Sequence, residues 1–143
     1  MGVNLSTSRK QAFYFLLWLS VFSVNSLGIN QRLKTFFLLS NFTLGKDSNG
    51  INPVQDTVTL RIANFTTTIP AGSFRRGPAG GYIFAGKINN VLIEALIKPL
   101  GSNRFLFQAA AYGAGLRGTK NPVTVGLAIG DDSGTTSVNA VIK

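Results

Sequence analysis

Residues 82–112 read YIFAGKINNVLIEALIKPLGSNRFLFQAAAY, from Tyr82 to Tyr112. Apolar residues run on both sides of Asn89-Asn90, a pair suited to a two-residue hairpin turn because Asn tolerates positive φ. That turn sets Ile88 opposite Val91, Gly86 opposite Ile93, Phe84 opposite Ala95 and Tyr82 opposite Ile97. A second turn, Pro99 to Asn103, places Ile97 opposite Phe105, Ala95 opposite Phe107 and Ile93 opposite Ala109. The two hairpins put the same residues on the same face. A slip of one residue in either would invert every side chain, so their agreement identifies this face as the core.

The other face carries Ile83, Leu96 and Leu106, read as one row across three strands. Glu94 and Gln108 flank the row on one side, Lys98 and Arg104 on the other. Lys98 opposite Arg104 is an unfavourable like-charge pair unless it is solvated or bound to an anion. A loop or second sheet over the row would bury its apolar residues. An uncovered stripe with a basic rim would instead mark a contact surface.

Outward from this stretch the pattern stays strand, turn, strand. Strands are expected near 33–44, 57–63, 65–69, 81–88, 91–98, 104–112, 122–129 and 135–142, where β-branched and aromatic residues are dense. Loops fall at Gly45 to Pro53 and at Arg75 to Gly81, and Pro70 ends its strand for want of an N–H. No convincing helical period occurs past residue 30. The expected fold class is all-β: a single antiparallel β-sandwich or flattened barrel of about seven to nine strands, after an N-terminal apolar leader.

The leader is read from Arg9-Lys10, the apolar run Ala12 to Leu19 continued by Val21-Phe22 and Val24, and small residues at Ser26 and Gly28. A basic start, a short apolar stretch and a small-residue exit describe a secretory signal peptide. The run also approaches the length of an uncleaved membrane anchor, roughly 17 residues at the least. Met1-Gly2-Val3-Asn4-Leu5-Ser6 fits a myristoylation pattern, which conflicts with a leader inserted and removed. The expected organisation is residues 1–28 as signal peptide or anchor and 29–143 as one β-domain, secreted or in the cell envelope.

The chain has no Cys and no His, and its formal charge is +9. Without Arg9 and Lys10, 12 basic residues stand against 5 acidic ones, +7 for the domain. That charge favours solubility and attraction to anionic polymers or surfaces. Absence of Cys rules out a disulfide framework, and absence of His removes the commonest general base and metal ligand. A hydrolase would have to be built from Asp47, Asp56, Glu94, Asp131 and Asp132.

Thr66-Thr67-Thr68-Ile69-Pro70-Ala71-Gly72-Ser73-Phe74 and Gly130-Asp131-Asp132-Ser133-Gly134-Thr135-Thr136-Ser137-Val138 together resemble a β-domain that recurs in secreted and surface proteins of bacteria, of uncharacterised role. The resemblance covers roughly residues 40–142. It implies a secreted, all-β, bacterial protein, and it carries over no catalytic or ligand residue to this chain.

Candidate sites are few. Arg75, Arg76, Lys98 and Arg104, with Ile83, Leu96 and Leu106, are the candidate ligand-binding set. Asp131 and Asp132 are weak metal candidates: Ca²⁺ takes six to eight oxygens, and Asp47 or Asp56 would have to converge on them. Ordinary Asp/Gly turn chemistry accounts for that stretch without a metal. Sugar-binding platforms are sparse, since the single Trp, Trp18, lies in the leader. No cofactor is implied. The leading expectation is a non-catalytic secreted or surface-associated interaction domain. The alternative is a basic module for an anionic polymer, a polysaccharide or nucleic acid. The expected partners are such a polymer or an envelope protein, with membrane contact only through the N-terminal segment if it is uncleaved.

Overall fold

The structure, a computed structural model, describes residues 17–143. Eleven strands make one strongly curled, mostly antiparallel sheet that forms a half-barrel. In chain order they are β1 (Leu17–Asn30), β2 (Thr35–Leu44), β3 (Val58–Ile62), β4 (Phe65–Ile69), β5 (Arg75–Arg76), β6 (Tyr82–Ile88), β7 (Val91–Gly101), β8 (Arg104–Tyr112), β9 (Val123–Ile129), β10 (Asp132–Val138) and β11 (Val141–Ile142). Across the sheet the order is β4-β3-β9-β10-β1-β2-β8-β7-β6-β5, with β11 beside β1. The parallel pairings are those of β1 with β10 and with β11.

Alternation builds the core. Along β2, Phe36, Leu38, Ser40, Phe42 and Leu44 are buried, and the residues between them point outward. Val58, Leu60 and Ile62 on β3, Val91, Ile93, Ala95 and Ile97 on β7, and Phe107, Ala109 and Ala111 on β8 fill the same interior. Ser40 is the polar member of this set, and its hydroxyl donates to the Phe107 carbonyl at 2.9 Å. Phe74, 1 % exposed, lies in the stretch between β4 and β5 and packs against Phe84, with ring centroids 5.9 Å apart. It fills the open side of the curl, where β4 approaches β6.

The first hairpin has the expected register: Ile88 pairs with Val91, Gly86 with Ile93, Phe84 with Ala95 and Tyr82 with Ile97. Asn89 and Asn90 take φ 51° and 67°. The second hairpin differs. Its turn is the tight pair Ser102-Asn103, φ 55° and 61°, so β7 runs on through Pro99 and Leu100 with a bulge before Gly101. Ile97 therefore pairs with Phe107, Ala95 with Ala109 and Ile93 with Ala111. The displacement is two residues, one full period of the pleat, so the core face is unchanged while every cross-strand neighbour on β8 is different.

Arg9-Lys10, the myristoylation pattern and the first part of the apolar run lie outside the described residues. Leu17–Asn30 is strand β1, hydrogen-bonded along its length to β2. Leu27 and Ile29 point into the core, 3 % and 2 % exposed. The boundary expected at residue 28 thus falls inside a strand. An apolar run of this length satisfies a strand as well as a leader, and its composition does not separate the two. Two bulges, at Ser20 and Asn25, each reset the alternation by one residue, which blurs the strand period in the sequence.

Candidate functional site

All but one of the proposed ligand residues fall on neighbouring rows of the sheet's outer face; Arg76, paired with Tyr82 and through it with Ile97, has the parity of the core face and is exposed at the sheet's edge. Residues paired across antiparallel strands point to the same side. Arg75 pairs with Ile83, Ile83 with Leu96, and Leu96 with Gln108, which makes one row. Leu106 belongs to the next row, paired with Lys98, and not to the row of Ile83 and Leu96 as the sequence suggested. Arg104 lies opposite Gly101 and Thr43, so the expected Lys98–Arg104 like-charge pair does not form. Both differences have the same cause, the two-residue displacement at the Ser102-Asn103 turn. Arg76 pairs with Tyr82, and its guanidinium stands 5.4 Å from that ring's centroid, a cation–π contact.

No described element covers the apolar part of this face. Ile83 is 46 % exposed, Phe37 44 % and Tyr112 50 %, with Leu92 beside them. Phe37, Ile83, Leu96, Ala110 and Tyr112 line a shallow open depression that also holds Glu94. Phe37, Leu92 and Tyr112 were absent from the candidate set read off the sequence. A parity signal for them existed: Phe37 precedes the core residue Leu38, Leu92 lies between Val91 and Ile93, and Tyr112 follows Ala111.

The acidic residues gather elsewhere. Asp56 and Asp131 line one polar depression with Asn49, Gly50, Ile51 and Asn52, between the β2–β3 loop and the β9–β10 turn. The Asp56 carboxylate accepts the Asn52 amide at 2.7 Å and lies beside Gly130, whose lack of a side chain leaves room for it. Asp131 and Asp132 diverge, the first exposed and the second 1 % exposed, because successive residues entering a strand point to opposite sides. Desolvation by burial is the main cause that raises the Asp132 pKa to about 6, reinforced by the charges of Asp131 and Asp56. Ser48 is close enough to offset part of this rise. Among the described residues, neither Asp132 oxygen has a hydrogen-bond partner within bonding distance; the Ser48 hydroxyl oxygen accepts the Gly50 amide at 3.0 Å. Among the described residues, no three acidic or other ligand side chains are grouped to hold a metal ion. The acidic corner is therefore two carboxylates on an open polar surface with one buried carboxyl behind them.

Comparison of the chain with protein-family models, with curated proteins and with solved structures finds no match.

Proposed function

We propose that this chain is a non-catalytic interaction domain that works outside the cytosol, in the medium or at a cell surface, and docks through the outer face of its sheet. The observation that carries this reading is the uncovered apolar patch of Phe37, Ile83, Leu92 and Tyr112. The solvated face of an antiparallel sheet is ordinarily polar. A contiguous apolar patch rimmed by Arg75, Lys98 and Arg104 is the pattern of a contact surface. The export component rests on Arg9-Lys10 and the apolar run that follows, and the bacterial origin on the resemblance of two motifs.

Binding of labelled protein to isolated envelopes of the producing cells tests this reading. Phe37→Ser/Ile83→Ser is expected to lose roughly tenfold in affinity with its melting curve little changed, because both side chains are already about half exposed. Undiminished binding would remove the patch from the proposal. A second reading, a module for an anionic polymer, is favoured by the placement of Lys98 and Arg104 on the same face. It predicts heparin retention that falls in Arg75→Ala/Arg76→Ala and in Lys98→Ala/Arg104→Ala, and retention indifferent to both pairs refutes it.

A further inference from the structure

We infer that the end of the sheet at the β1–β2 turn docks onto an anionic phospholipid bilayer; this rests on the interaction-domain reading above and names its partner. The turn Gln31-Arg32-Leu33-Lys34 carries Leu33 at its tip, 63 % exposed, between the exposed Arg32 and Lys34. The Asn30 side-chain oxygen accepts the Leu33 amide at 2.9 Å, which fixes the loop that presents it. The Gly113 and Ala114 amides both donate to the Lys34 carbonyl, and the Gly118 amide donates to Oε1 of Gln31 at 2.7 Å. These bonds draw the loop bearing Arg117 and Lys120 against the turn. The Gln31 amide donates to the Lys143 carbonyl, and the Asn121 side chain clips both the amide and the carbonyl of Ala140, which brings the C-terminal residues to the same place. Lys87 joins from the side, at the far end of the row Lys87–Leu92–Tyr112–Thr35–Asn30.

Six exposed cations are thus collected from four separate segments, with no acidic side chain among them. Asp47, Asp56, Asp131 and Asp132 belong to the opposite end of β1, on the order of 40 Å away along the strand at about 3.3 Å per residue. Glu94 lies one row further up the outer face. Charge alone would suit any polyanion. The exposed aliphatics decide in favour of lipid: Leu33, and Val141 at 65 % exposure, offer nothing to a phosphodiester or sulfated sugar. Both can enter the boundary between headgroups and acyl chains while the flanking Lys and Arg meet the phosphates. Tyr112 beside them has the amphipathic ring that favours that depth.

Sedimentation of the full chain with vesicles tests this, using phosphatidylglycerol mixed with phosphatidylcholine against phosphatidylcholine alone. The expected result is binding to the anionic vesicles that is at least about tenfold stronger and weakens with salt. Arg32→Glu/Lys34→Glu and Leu33→Asp should each lose about tenfold or more. In a Trp18→Phe background, Leu33→Trp should keep binding and shift its emission to the blue on anionic vesicles alone. Equal binding by the wild type and both charge-bearing variants, or an unshifted Leu33→Trp emission, overturns the inference. Failure on vesicles with envelope binding retained also overturns it and leaves the interaction reading standing, whereas failure of both removes that reading as well.

Discussion

Asp132 is the residue whose burial the sequence hid, since Gly130-Asp131-Asp132-Ser133-Gly134 reads as a solvated turn. Its pKa, about 6 in the folded chain against an ordinary 3.8, has a definite sign. Folding favours the protonated form, so this residue's contribution is most favourable below pH 3.8 and is lost as pH rises through 6. Asp132→Asn should therefore match the wild type near pH 4 and exceed it at pH 8, by no more than about 3 kcal/mol. Urea unfolding at the two pH values checks this, and a variant that gains nothing at pH 8 contradicts it. Gly130 belongs to the same corner. An added Cβ there would sit 3.1 Å from the Asp56 carboxyl carbon, on a backbone at φ +60°. Gly130→Ala is expected to cost about 1–3 kcal/mol from strain and displacement of that carboxylate, read as a lower melting temperature.

The β7–β8 hairpin shows how an element can be right in face and wrong in neighbours. A loop from Pro99 to Asn103 and a tight Ser102-Asn103 turn with a bulge bury the same side chains, because they differ by two residues. Polarity gave no means to choose between them: Pro99, Leu100 and Gly101 fit a loop as well as a strand continued past a bulge. The chain's lack of Cys makes the register directly measurable. Lys98→Cys/Leu106→Cys should form a disulfide on mild oxidation, since paired residues approach to about 4.5–5.5 Å between Cα atoms. Lys98→Cys/Arg104→Cys should stay reduced, and the reverse outcome would restore the register read from the sequence. The same hairpin explains why part of the candidate site was legible. Ile83 and Leu96 are row neighbours as expected, set by the Asn89-Asn90 turn, while Leu106 is one row away.

At the scale of the molecule, β1 occupies the place between β2 and β10, near the middle of the sheet. Removing residues 1–28 would leave β2 and β10 without their partner and take Leu27 out of the core. A chain beginning at Ile29 is expected to lose cooperative unfolding or to self-associate through the exposed edges. A calorimetric trace and sedimentation profile like those of the full chain would show that β1 is dispensable and that cleavage near residue 28 is tolerated. Phe74 acts at the same scale, because it fills the open side of the curl. Phe74→Ala should cost roughly 3–5 kcal/mol, measurable by denaturant titration.

Local chemistry alone determined the all-β class, most strand positions, the first hairpin's register and the face that forms the core. Each of these follows from short-range facts: alternation with a period of two, turn residues that accept positive φ, and Pro at strand ends. Only the tertiary structure decided that Leu17–Asn30 is a strand, that Asp131 and Asp132 part company, and that Phe37, Leu92 and Tyr112 stay uncovered. It alone gathered Arg32, Lys34, Lys87, Arg117, Lys120 and Lys143 at one end. The reason is separation along the chain. Those cations come from segments far apart in sequence, joined by curling of the sheet and by backbone bonds such as Gly113 to Lys34 and Gln31 to Lys143, and no local pattern encodes which loops a curled sheet will bring side by side.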